Sequence, residues 1–248
     1  MNVFKFFKLY KISIQNNSFF ILICFCIFTL SILIDSYVSS KELGIYELQI
    51  VYNNLSLFRQ GVLYIPFCTI LTMKLLEFMD NNLVVIRLGR KDKICNQLKI
   101  HILLTNFIIS VYLVTFSYIL ALLFTQEKYM AFSKTLILLI SLVLLYTIGF
   151  SLFALVGAII KMIIGDKLIS YIAVLAILVP EVVNPSKSLI LSGISFNMAY
   201  FSNFMLVFFN ILKFGGIIIL IFEVVRILYK KEEVYNTKVL IGGNNYEN

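Results

Sequence analysis

Four stretches of the chain, 12–34, 100–126, 135–160 and 188–212, each run for more than twenty residues without a charged side chain. A helix of about 20 apolar residues crosses the ~30 Å hydrocarbon core of a bilayer. In lipid the backbone must satisfy its own N–H and C=O groups, which a helix does within one segment. Composition points the same way. Only 14% of the 248 residues are charged and 60% are hydrophobic, with a mean hydropathy of +0.95, against about 25% charged in an average soluble domain. There is too little polar surface for a soluble enzyme, and too much apolar content for disorder. The expected fold is all-α: a polytopic membrane protein forming a single transmembrane domain over 1–248.

The windows place the spans at about 16–36, 60–79, 102–124, 135–160, 167–181 and 204–228. The second needs extension past Lys74, because the apolar run between Arg59 and Lys74 is short. The fifth stops at Pro180-Glu181, so it is tilted, broken or set in thin bilayer. Residues 182–203 carry too many polar side chains for a span and are expected as a re-entrant element between spans five and six, sheltered by protein. Six spans is the expected number, with five as the alternative. Residues 1–12 form an expected interfacial helix, with Lys5, Lys8 and Lys11 on one arc and Phe6, Phe7, Leu9 and Tyr10 opposite. Residues 229–248 are expected as a polar tail that frays.

Lysine and arginine set the orientation. With the N-terminus inside, fifteen of the 21 basic residues fall on the cytoplasmic side, so both termini are expected there. The first run is longer than a signal-peptide core and lacks a small-residue cleavage site, and is expected to stay as an uncleaved helix. Heavy use of Ile, Lys, Asn, Phe and Tyr is typical of an AT-rich bacterial genome, which makes the bacterial plasma membrane the expected location. Cys24, Cys26, Cys68 and Cys95 lie in apolar or basic surroundings and form no extracellular disulfide framework. Small residues Gly149, Ser151, Ala154, Gly157 and Ala158 along the fourth span favour close approach to a neighbouring helix or a second subunit.

Signs of catalysis are missing. His101 is the single histidine, which excludes an HExxH site, and no Ser–His pair is read around it. No pair of carboxylates lies within a span, and no GxxxxGK[ST] loop occurs. The chain is therefore expected not to be an enzyme, to carry no cofactor or metal of its own, and to depend on another chain if transport uses ATP. Among residues inside the spans, Tyr64, Asn106, Tyr112, Tyr146 and Lys213 are the polar or aromatic candidates for lining a path. Lys213 is also explained by snorkelling to the interface.

Residues 77–99, EFMDNNLVVIRLGRKDKICNQLK, form the most distinctive stretch. Asp80, Asn81 and Asn82 suit a helix N-cap and Gly89 a helix end. Between them Leu83, Val84, Val85 and Ile86 make an apolar knob, rimmed by Arg87, Arg90, Lys91 and Lys93. An ordinary positively charged cytoplasmic loop is the other reading of the same residues.

In this arrangement the chain resembles the ABC-2 type permeases, the membrane subunits of ATP-driven exporters, and especially the small ones of peptide, bacteriocin or lantibiotic export and immunity systems. The matching features are the amphipathic segment 3–11, six spans with both ends inside, the loop between spans two and three, and the outer re-entrant stretch. The run from Val85 to Lys91 is similar to the R-x-G-S-R run of such permeases, with Arg90 where serine is frequent. The resemblance implies that loop 80–93 docks on a separate cytoplasmic ATPase chain, which holds ATP and Mg, through Leu83, Val85, Ile86, Arg87, Arg90 and Lys91. It also implies a dimer with a second permease copy or paralogue, and a peptide, toxin, antibiotic or lipid-like cargo. Nucleic acid is not expected as a partner. The alternatives are a non-transporting membrane immunity or anchoring protein and, further off, an ion-coupled carrier.

Overall fold

The computed structural model describes residues 3–41, 45–76, 91–125, 131–184, 188, 190–197 and 199–242. Among these, all regular structure is helical. The elements are α1 (Val3–Asn16), α2 (Ser18–Ser39), α3 (Glu47–Asn54), α4 (Leu57–Arg59), a π turn (Gln60–Tyr64), α5 (Ile65–Leu75), α6 (Lys91–Phe124), α7 (Phe132–Ile164), α8 (Lys167–Val183), α9 (Leu191–Ile194), α10 (Ala199–Ser202) and α11 (Met205–Gly242). Five stretches among the described residues are long and apolar enough to cross a membrane: Ser18–Ser39, Glu47–Leu75, Asn96–Phe124, Phe132–Ile164 and Met205–Ile227. Helix α8, at 17 residues with Pro180 inside it, is shorter than these.

The outer surface is apolar. On α2, Cys24, Phe28, Ile32, Asp35, Ser36 and Ser39 turn inward, while Phe19, Leu22, Leu30, Ile34 and Val38 turn out and are exposed. Alternate sides of one helix thus face protein and lipid, and such an exposed apolar face has no place in water. Helix α7 is the central member, touching α5, α6, α8 and α11, with Leu138, Leu142, Leu145, Tyr146, Ala154 and Leu155 fully buried.

One end of the bundle is marked by α1. Ser13 Oγ donates to the Leu75 carbonyl at 2.7 Å, and Tyr10 Oη lies 3.4 Å from Thr105 Oγ1. The Tyr10 ring sits 4.9 Å from His101. The N-terminal helix is therefore clamped where α5 ends and α6 rises. At the opposite, far end, α3 lies between α2 and α6, tied by Asn53 Nδ2 to Ser39 Oγ at 3.0 Å and by Asn54 Nδ2 to Ser36 Oγ at 2.8 Å. Thr125 Oγ1, just past α6, donates to the Ile45 carbonyl at 3.0 Å.

Three boundaries differ from the sequence-based expectation. The second apolar helix runs from Leu57 and its described part ends at Leu75, not over 60–79, and α3 precedes it with Glu47 only 1% exposed. Polar side chains of α2 and α3 satisfy one another there, which hydropathy cannot anticipate. Residues 229–242, expected as part of a fraying tail, continue α11 as helix. The N-terminal helix also reaches Asn16 rather than stopping near residue 12.

A tight corner joins α7 to α8. Gly165 caps α7 in the left-handed region (φ 80°), its N–H bonding to the Lys161 carbonyl, a conformation that glycine adopts without a Cβ penalty. Asp166 follows as N-cap, its carboxylate accepting from the N–H groups of Leu168 (2.7 Å) and Ile169 (3.2 Å).

Candidate functional site

Proline 66 has no N–H to donate and its ring crowds the preceding turn. The chain widens into the π turn Gln60–Tyr64 just ahead of it, a departure from α geometry often found at functional positions. The wide turn aims Gln60, Gly61 and Tyr64 into the bundle, all buried. Gln60 Nε2 donates to the Leu55 carbonyl at 3.1 Å and Tyr64 Oη to the Asn54 carbonyl at 3.0 Å. From α7, the Tyr146 hydroxyl faces the Gln60 side chain and the Phe196 backbone. Gln60, Tyr64, Tyr146 and Asn54 form a buried polar seam, in which Gln60 Oε1 and the Tyr146 hydroxyl make no hydrogen bond among the described residues. The Asn54 Oδ1 atom is buried there without a hydrogen-bond partner among the described residues.

Beside the seam, Arg59 reaches across to α2. Its guanidinium pairs with the Asp35 carboxylate and donates to Ser31 Oγ at 3.1 Å. The Asp35 side chain is 10% exposed and that of Arg59 36%, so the anion is the more enclosed partner.

Helices α9 and α10 cover the seam. Glycines make the room. A Cβ on Gly61 would strike Val182 and Leu191, one on Gly149 would strike Ile194, and one on Gly193 would lie 2.6 Å from the Phe214 ring. The Glu181 carboxylate, at the end of α8, accepts from Ser188 Oγ (2.6 Å) and from the backbone N–H groups of Ile190 (3.1 Å) and Leu191 (3.0 Å). On α10, the Tyr200 hydroxyl accepts from Asn210 Nδ2 at 2.8 Å and donates to the Gly193 carbonyl at 3.4 Å. Burial pushes this hydroxyl above its ordinary range, against the opposing effect of the Asn210 bond, so it remains a neutral donor.

Of the lining candidates, Tyr64 and Tyr146 meet at this seam. Asn106 belongs to a separate network: its Oδ1 accepts from Thr72 Oγ1 at 3.3 Å, and its Nδ2 donates to the Ile102 carbonyl (2.9 Å) and Ser151 Oγ (3.3 Å). It joins α5, α6 and α7. Tyr112 sits at the α2–α6 contact, bonded to Thr29 and edge-on to Phe25 at 4.6 Å. Lys213 is exposed on α11, its Nζ 5.1 Å from the Phe214 ring centroid. It faces outward and joins none of the others. Leu83, Val85, Ile86, Arg87 and Arg90 lie outside the described residues; Lys91 is the first residue of α6. The small residues of the fourth span meet the same chain: Gly149 receives Ile194, and Gly157 faces Thr69 and Val174 at 3.4 Å.

Sequence reasoning passed over Gln60, Arg59 and Glu181. Pro66 was the available signal for Gln60, since a proline inside an apolar run calls for a local widening five or six residues upstream. For Arg59 and Asp35 the signal was a pair of opposite charges at the ends of two neighbouring apolar runs.

The seam offers hydrogen-bond donors and acceptors but no nucleophile with a base. Among the described residues no three His, Cys, Asp or Glu side chains group to hold a metal. Asn106→Leu is expected to cost about 1–2 kcal/mol, because Thr72 and Ser151 lose a buried partner; thermal unfolding in detergent measures it, and loss of stability should be smaller when Thr72→Val is added.

No known protein family, characterised protein or solved structure matches the chain.

Proposed function

We propose that the chain is the permease subunit of an ATP-driven exporter of the ABC-2 type. In this reading α8 completes a set of six spans, α9 and α10 form a re-entrant element at the outer face, and both termini are cytoplasmic in a bacterial plasma membrane. A separate ATPase chain drives it through loop 80–93, and a second permease copy or paralogue completes the transporter. The cargo is a peptide, a toxin or antibiotic, or a lipid-like molecule. The chain itself hydrolyses nothing.

The observation that carries the reading is the placement of α1. It is fixed to Leu75 at the end of α5 and, 10 to 14 residues into α6, to His101 and Thr105, so the lysine-rich N-terminal helix lies at the end of α5 that the basic stretch follows in the sequence. The apolar run 83–86 with its cationic neighbours, which lies outside the described residues, is suited by its composition to docking in an apolar groove, with the charges steering association. The depth of α9 lends further support. Ile194 meets Gly149 in the middle of α7, about 22 Å from that helix's end at Ile164 on a rise of 1.5 Å per residue.

Ile86→Asp is expected to abolish co-purification of the ATPase chain, at least about tenfold, since a charge in an apolar groove costs several kcal/mol, while insertion in the membrane is unchanged. Wild-type recovery of the ATPase with this variant would overturn the reading. Cellular activity that survives inactivation of every candidate ATPase would instead favour an anchoring or immunity protein, and flux in vesicles without ATP an ion-coupled carrier.

A further inference from the structure

Helices α9 and α10 have four residues each. A helix of one turn has no stability of its own, because nucleation is costly and little propagation follows. Its position depends on what receives it. The backbone-to-backbone hydrogen bonds given by this segment are local: Ile194 N to the Ile190 carbonyl (3.1 Å), Ser195 N to Leu191 (2.8 Å) and Tyr200 N to Asn197 (2.9 Å). The fit to the bundle is instead one of shape, through Leu191 over Gly61, Ile194 over Gly149 and Gly193 under Phe214. Such contacts are non-directional and part without breaking a ladder.

Polar attachment comes from α11, where Asn210 Nδ2 donates to the Tyr200 hydroxyl at 2.8 Å, and above all from α8. Glu181 takes three donors from the start of the segment, and Ser188 Oγ, one of them, in turn accepts from Ser192 N at 2.8 Å. Beneath the segment lies the seam, with Asn54 Oδ1 buried and without a hydrogen-bond partner among the described residues. A buried acceptor left unmatched is unfavourable, and an arrangement that admits water or a hydrogen-bonding ligand removes that penalty. Glycine notches, a carboxylate clasp at the start of the segment and an incompletely satisfied floor together fit a part that comes out.

We propose that α9 and α10 are a removable plug: the Glu181 carboxylate clasps it to α8, Gly61 and Gly149 seat it, and its withdrawal opens the Gln60–Tyr64–Tyr146 seam to the far end of the bundle. This needs the membrane setting but no ATPase, so it stands or falls apart from the exporter reading.

The test uses full-length protein in liposomes with its four cysteines replaced by alanine, a single Gln60→Cys reporter and a membrane-impermeant maleimide. The reporter is expected to label slowly. Glu181→Gln replaces a charged acceptor of three hydrogen bonds by an amide and is expected to raise the rate about tenfold or more. A disulfide between Gly149→Cys and Ile194→Cys, in which the second substitution removes the atoms that the first would strike, is expected to return the rate to that of the parent. A rate in Glu181→Gln within about twofold of the parent would overturn the proposal, as would fast labelling that persists with the disulfide closed. If Glu181→Gln does not accumulate, Ser188→Ala, which removes one bond of the clasp, is expected to give an intermediate rate; an unchanged rate there would overturn the proposal equally.

Discussion

Arg59→Met is expected to destabilise the protein by about 3–5 kcal/mol, because it strands a buried carboxylate without its counter-charge. Asp35 lies inside α2 with 10% of its side chain exposed, and neither lipid nor the apolar face of α5 replaces the guanidinium. The partner substitution should cost less. Asp35→Leu leaves Arg59, whose side chain is 36% exposed and long enough to turn its charged group outward while its stem stays on apolar surface. The double variant should recover most of the loss, since replacing both members of a buried pair by apolar groups of similar size is often neutral. Unfolding of the four proteins in a common detergent, arranged as a double-mutant cycle, measures this. Equal losses for the two single variants would contradict the unequal burial on which the argument rests.

Gly149→Leu is the second large effect, with an expected cost of about 1–3 kcal/mol from overpacking and displacement of α9. Three atoms of Ile194 converge on the position a Cβ would take, so no single rotamer change clears it and the whole side chain must move. Gly216 supplies the contrast of sign. It is also within a helix, but nothing lies within 4 Å of a Cβ added there. Gly216→Ala should therefore stabilise α11 by about 0.5–1 kcal/mol, the usual gain from removing glycine's backbone freedom in a helix. If both glycines responded alike, close approach at Gly149 would not be what holds the segment.

Legibility in the sequence followed the physical signal available. Apolar length is a strong one, and the expected spans 16–36, 102–124, 135–160 and 204–228 each overlap a long apolar helix, whereas the uncharged stretch 12–34 runs across the break between α1 and α2 and 188–212 holds the short helices α9 and α10 and only the start of α11. The boundary between α3 and α5 was not legible because its cause is pairwise. Asn53, Asn54 and Glu47 look fit for water until Ser36, Ser39 and α6 are found around them. Of the candidate site, Tyr64 and Tyr146 were picked out as polar groups within spans, but nothing local shows that they share Gln60. Lys213 failed to join them for a simple reason: α11 turns Phe214 inward, and its neighbour therefore faces out. Glu181 was read as the mark of a helix edge, since a carboxylate beside a proline carries no sign of the three N–H and O–H donors that arrive from residues 188–191.

If α8 completes the set of six spans, as proposed above, the two-residue corner at Gly165-Asp166 bears on how the chain enters the bilayer during synthesis. Helix α8, at 17 residues, falls short of the ~20 that a lone segment needs to cross. Joined so closely to α7, with its 33 residues, it need not partition alone: the loop entropy for bringing the two together is small. The pair can enter as one preassembled unit, with the longer limb supplying the hydrophobic drive for the shorter. A spacer of flexible residues inserted at that corner should therefore leave α7 anchored while α8 fails to integrate, an outcome that glycosylation-site mapping of the nascent chain would record.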